Sequence, residues 1–186
     1  GQQLRPISTG CWKKQGCKNP VAGAFSTNSI HVRNSTGHIG MSTQVQDDEK
    51  VGQAKQREEE LITVFNQVPL NRFMGLELIA VADGTSQAYF HTTEEVQTSS
   101  GTVNGCSYHI ALEIAAGAAA ISTLPAGRKA MTTDFFASVL RAAPINARID
   151  VTAKVIKSGR SLVFVECEAT CNNKIMATAR VTKSVV

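Results

Sequence analysis

Asn104-Gly105-Cys106-Ser107-Tyr108-His109-Ile110-Ala111-Leu112-Glu113-Ile114-Ala115-Ala116-Gly117-Ala118-Ala119-Ala120 is the stretch whose reading decides the fold. The spacing predicts a helix from about Ser107 to Leu124, closed by Pro125-Ala126-Gly127. From Ile110 to Ile121 that helix is apolar on every side except at Glu113. A helix that is apolar all round is buried all round. The run falls well short of the roughly 20 residues that a membrane span needs, so it reads as a core helix around which something else must wrap.

Glu113 is then a carboxylate in a largely apolar setting, which is costly unless the group has partners or a use. Two readings stand: a functional acid, or a structural one hydrogen-bonded to a neighbour. The helix entry adds a second element. The first N–H groups after Asn104 and Gly105 lack intrahelical acceptors, and with the helix dipole they make a spot that favours an oxyanion. Glu113 lies nine residues beyond Asn104, about two and a half turns along the helix. One helix does not easily bring both groups to one carbonyl, whereas in a dimer the carboxylate of one subunit can face the helix entry of the other.

Outward from the helix the pattern changes to short alternating runs. Leu76 to Val81 and Thr85 to Thr92 flank Asp83-Gly84, a hairpin signal. Met131 to Leu140 is strand-like and ends at Ala142-Ala143-Pro144. In Ala147 to Ile156, Ala147, Ile149, Val151, Ala153 and Val155 alternate with Arg148, Asp150, Thr152 and Lys154. Leu162 to Thr170 returns after Ser158-Gly159-Arg160, and Ile175 to Thr182 returns after Asn172-Asn173-Lys174. The expected order is strand, strand, helix and four strands. That is an α+β domain with an antiparallel meander, one face wet and the other covered by the apolar helix.

Upstream, residues 47–67 read as a helix, with Asp47 and Asp48 in its first turn, Leu61, Ile62, Val64 and Phe65 as an apolar stripe, Glu58 to Glu60 as a solvated face and Pro69 as its stop. Residues 1–40 carry Arg5, Lys13, Lys14, Lys18 and Arg33 and no acid, whereas residues 41–186 sum to −1, within a net charge of +4. By charge the domain itself is no nucleic-acid binder. The basic, hydroxylated, acid-free segment has the composition of a mitochondrial transit sequence. An artificial leader or a retained extension that binds a partner through Trp12 also fits. The organisation expected is 1–40 extension, 41–69 helix and linker, and 70–186 domain. A cytoplasmic location is the alternative to the mitochondrial matrix. The five cysteines are odd in number and form no CxxC pair, which argues against a disulfide framework or a zinc site. No metal is expected.

Over residues 70–186 the pattern resembles the hotdog-fold acyl-CoA thioesterases of the phenylacetate-degradation and 4-hydroxybenzoyl-CoA type. That family opens its central helix with His-Gly-Gly and places an Asp or Glu nine residues after the His. Here Asn104-Gly105-Cys106 and Glu113 stand at those places. Met131-Thr132-Thr133-Asp134 matches the strand that carries a Ser or Thr near the site, and Lys157-Ser158-Gly159-Arg160 is similar to the turn near the nucleotide of coenzyme A.

The resemblance implies a hotdog fold and a homodimer or dimer of dimers with sites at subunit interfaces. It makes Glu113 nucleophile or general base, Gly105 and Cys106 N–H the oxyanion donors, and Thr132 an orienting group. Lys157, Ser158, Gly159 and Arg160 would meet coenzyme A, which enters as part of the substrate, with no separate cofactor. Asn104 for His and Cys106 for Gly depart from the family pattern. Asn104 still donates a hydrogen bond but is no acid or base near neutrality.

The preferred reading is hydrolysis of a fatty or aryl acyl-CoA thioester. The alternative is a catalytically degenerate hotdog subunit with a structural role in a mitochondrial assembly, attached through residues 1–40. An acyl-binding or dehydratase-like hotdog ranks third. A Cys106–His109 nucleophile is a further reading, set against a small thiol beside a structural histidine.

Overall fold

A computed structural model describes residues 40–186, with side chains from residue 48 onward. The expectations for residues 1–39, Trp12 among them, lie outside the described residues. Two helices precede the sheet, α1 (Gly40–Gln67) and α2 (Pro69–Met74). Helix α1 starts seven residues before Asp47, so Asp47 and Asp48 sit inside it rather than in its first turn. Pro69 ends α1 and opens α2, where its missing N–H costs nothing at the first helical positions.

Strands β1 (Glu77–Ala82) and β2 (Thr85–His91) form a hairpin. Helix α3 (Gly105–Ser122) follows, then β3 (Ala130–Val139), β4 (Arg148–Ser158), β5 (Leu162–Cys171) and β6 (Lys174–Val185). Asp83 and Gly84 turn the first hairpin with φ of 47° and 78°. Asn172 and Asn173 do the same between β5 and β6 with φ of 50° and 59°. Two successive positive φ values twist with the strands they join, which is why Asp, Asn and Gly stand at these positions.

All six strands make one antiparallel sheet in the order β1-β2-β4-β5-β6-β3. The simple meander expected from the sequence therefore holds only from β4 to β6. Strand β3 precedes β4 in the chain but pairs with β6 at the far edge. The reason lies in its connections: β3 is reached through α3 and left through Leu140 to Ala147, neither of which is a tight hairpin turn.

The sheet curls round α3, the hotdog arrangement. Tyr108, Ala111, Leu112, Ala115, Ala116 and Ala118 to Ala120 are buried on the helix. Opposite them, Phe90, Ile149, Val151, Val163, Val165 and Val181 are fully or almost fully buried. Burying a side chain such as Leu112 contributes about 2 kcal/mol, and the alanines let the strands approach the helix axis closely. No described helix is long and apolar enough to cross a membrane.

The two edges of the sheet differ. Edge strand β1 is closed by α1: Asn66 Nδ2 donates to Leu78 O at 3.0 Å, Leu78 N–H donates to Asn66 Oδ1 at 2.8 Å, and Val81 N–H donates to Glu58 Oε1 at 3.3 Å. Glu58 thus leaves the solvated face on which it was expected. Edge strand β3 pairs with β6 alone, and Met131, Phe136 and Val139 on it are exposed.

Candidate active site

The site is built where α3 passes the β3–β6 edge. On β6 the residues facing the helix are Ala177, Ala179, Val181 and Lys183, all buried. On β3, Phe135, Ala137 and Val139 pair with Val181, Ala179 and Ala177, so they share that face. A register shift then falls between Thr132 and Asp134, and Thr132 pairs with Lys183. One extra residue in a strand reverses which face the next side chain takes. The bulge at Thr133 therefore turns Thr132, and not Thr133, toward the helix.

Three side chains meet there. Lys183 Nζ donates to Glu113 Oε1 and to Thr132 Oγ1, each at 2.6 Å. Thr132 Oγ1 donates to Glu113 Oε1. The lysine side chain is 3% exposed and that of Glu113 is 39% exposed. The ammonium also lies 3.5 Å from Glu113 O. A Cβ at Gly117 would stand 3.6 Å from it, so the bare glycine one turn beyond Glu113 leaves space for the lysine tip. Glu113 Oε2 is itself buried and has no hydrogen-bond partner among the described residues. One carboxylate oxygen is tied and the other is buried without a partner.

Asn104, Gly105 and Cys106 stand together at the start of α3. Asn104 is the N-cap: its Oδ1 accepts from Cys106 N–H at 3.0 Å. The Cys106 N–H expected as an oxyanion donor is therefore occupied within the chain. Gly105 N–H makes no hydrogen bond among the described residues, and neither does the Asn104 Nδ2. The helix entry retains donors, from different atoms. A side chain on Gly105 would meet Val139 Cγ2 of β3 at 3.6 Å, so the entry also borders the open edge. The Cys106 thiol is exposed. His109 packs edge-on against Phe135, with ring centroids 5.8 Å apart, and no hydrogen bond joins its side chain to Cys106 among the described residues.

The turn Lys157-Ser158-Gly159-Arg160 is exposed between β4 and β5. It lies at the other end of α3, where Ser158 Oγ and Thr123 Oγ1 are 3.1 Å apart. Thr123 is ten residues past Glu113, about 15 Å along the axis. Gly159 is closely approached within the turn, where a Cβ would stand 3.2 Å from Leu162 O.

Residues 100–183 match the family model of the thioesterase superfamily. That match spans somewhat less than half of the chain. No curated protein matches the chain. A thioesterase of Haemophilus influenzae superposes on the hotdog domain with a TM-score of 0.64 at 20% identity, over 69% of this chain and 89% of that one. Zebra fish thioesterase superfamily member 2 gives 0.60 at 24% identity, over 67% and 93%. The PaaI protein from the phenylacetic acid degradation operon of E. coli gives 0.63 at 16% identity, over 67% and 88%. At these identities the likeness is one of fold.

Lys183 was missed by sequence reasoning, although a signal for it exists. The last strand was expected to end at Thr182, one residue short of it. Carried one residue further, the alternation Ala177, Ala179, Val181 puts a lysine on the buried face of the sheet, and a lysine there needs a charge partner.

Proposed function

We propose that this protein hydrolyses acyl-CoA thioesters as a homodimer, with Glu113 as the reactive carboxylate. The observation that carries the reading is the division of labour on Glu113: Oε1 is held by Lys183 and Thr132, while Oε2 is without a partner. As general base, Oε2 takes a proton from water as the water oxygen bonds to the thioester carbon. The carbonyl electrons move to oxygen, which the donors at a helix entry stabilise. Collapse breaks the C–S bond and releases the coenzyme A thiol with the proton. As nucleophile, Oε2 instead bonds to that carbon itself and water resolves the anhydride.

The helix entry that serves a given Glu113 belongs to the second subunit in this reading, because about 13 Å of helix separates the two groups within one chain. A long apolar edge is what folded proteins pair or cover, and β3 is the edge that α1 leaves open. Pairing of β3 with β3 of a second copy brings Glu113 of one chain toward Asn104 and Gly105 of the other. Lys157 and Arg160 meet the phosphates of coenzyme A as exposed cations. The acyl group is fatty or aryl, and residues 1–40 address the protein to the mitochondrion.

A second reading has one observation in its favour. The Asn104 cap occupies the Cys106 N–H and an exposed thiol stands at the entry, which suits a domain kept as a structural subunit.

Thiol release from a panel of acyl-CoA chain lengths, with Glu113→Gln beside the parent, tests the choice. Glu113-dependent release supports the enzyme, and no release from folded dimer supports the subunit. Val139→Glu, at the exposed end of β3, is expected to yield folded monomer by light scattering. A dimer that tolerates it argues against the β3 interface.

A further inference from the structure

We propose that Lys183 is a positioning residue for Glu113, which the thioesterase reading requires but does not itself supply. The inference rests on that reading and goes beyond it: the catalytic unit is Glu113, Thr132 and a buried lysine from the last strand.

The lysine tip is surrounded on purpose-shaped terms. Its Nζ has Glu113 Oε1 and Thr132 Oγ1 at 2.6 Å and Glu113 O at 3.5 Å. The three donors of an ammonium thereby have acceptors on three sides. Phe65 of α1 also approaches Gly117, its Cε1 3.8 Å from where a Cβ would stand. Val163 pairs with Lys183 from β5. An ammonium so far from water has no reason to be on the inward face of a sheet unless it is paired. The pairing is paid back in geometry: two donors converge on one carboxylate oxygen, so rotation of the carboxylate would break both bonds. Oε2 is left as the carboxylate oxygen without a hydrogen-bond partner among the described residues.

Among the described residues, the cation that pairs with the Glu113 carboxylate is Lys183. Lys183 does not contact the substrate in this view. It acts through the orientation of Glu113, and misplacing a reacting atom by about 1 Å can cost about 10²-fold in rate.

The test uses the full chain and three variants. Lys183→Met removes donors and charge at similar length, Lys183→Gln keeps a donor without charge, and Thr132→Val removes one tie at an exposed strand position. Steady-state thiol release is measured with the acyl-CoA that the parent cleaves best. The expected result for Lys183→Met is a fall in kcat of about 10²-fold with KM within about threefold, a split that follows when orientation is lost but binding is kept. Lys183→Gln is expected to recover part of the loss and Thr132→Val to show a smaller fall in kcat. Should neither lysine variant fold, Thr132→Val and the following measurement decide.

Lysine side-chain 15N NMR supplies a readout independent of turnover. One slowly exchanging ammonium signal is expected in the parent, lost in Lys183→Met and displaced in Glu113→Gln. An active parent whose Lys183→Met variant retains kcat overturns the proposal, as does an ammonium signal indifferent to Glu113→Gln. If the parent cleaves no acyl-CoA while the signal still responds to Glu113→Gln, the thioesterase reading fails and the pair is structural, which overturns the positioning role for a distinguishable reason.

Discussion

Lys183 Nζ lies 2.6 Å from Oε1 of Glu113, with the lysine side chain buried and the carboxylate partly open. The pair joins the last strand to the middle of the central helix, and Thr132 of the edge strand bonds to both. Fold and site therefore share atoms, and substitutions there should register in stability as well as in rate.

Glu113→Gln is expected to lower kcat by about 10²- to 10⁴-fold, the usual worth of a positioned acid or base. It also leaves Lys183 without its charge partner. The amide oxygen still accepts a hydrogen bond and the position is partly solvated, so the loss of stability should be about 1–2 kcal/mol. Urea unfolding of the two proteins side by side measures it, and equal midpoints would show that the pair contributes nothing to folding.

Asn66→Ala should open the β1 edge. It removes two hydrogen bonds to Leu78 and leaves strand groups unpaired, at a cost of about 1–3 kcal/mol. Unpaired strand edges template association, so size-exclusion chromatography at rising concentration should show species larger than the parent.

Gly84→Ala meets two obstacles. Its φ is 78°, and the new Cβ would stand 3.0 Å from Thr123 Cγ2 and 3.1 Å from Val155 Cβ. Backbone strain of this kind costs about 1–3 kcal/mol, read as a lower thermal midpoint with the sheet otherwise retained.

Alkaline pH should weaken the fold through Cys167. Burial pushes its thiol up to about 12 from the ordinary 9.0, with the Lys183 ammonium pulling the other way. The unfolded chain therefore loses this proton first. The contribution is intact below pH 9.0 and declines as the pH rises toward about 12. Under reducing conditions, Cys167→Ala is expected to show a smaller drop in thermal midpoint between about pH 8 and about pH 11 than the parent.

Much of this protein follows from local chemistry that one dimension records. The all-round apolar run of α3, the alternation on β4 and the Asp83-Gly84 and Asn172-Asn173 turns each depend on near neighbours in the chain, so the helix, the strands and the hotdog class were legible, and Glu113 stood out as the one acid in an apolar helix. What the sequence by itself left undetermined depends on residues distant in the chain. Strand β3 travels to the far edge because its connections are long, and α1 seals the opposite edge with two side chains. A single extra residue at Thr133 decides that Thr132 faces Glu113, and the phase of β6, carried one residue past its expected end, buries Lys183 beneath that carboxylate. Register and strand order are set by pairing across the whole sheet, and only the tertiary structure puts the lysine and the glutamate, 70 residues apart, within one hydrogen bond.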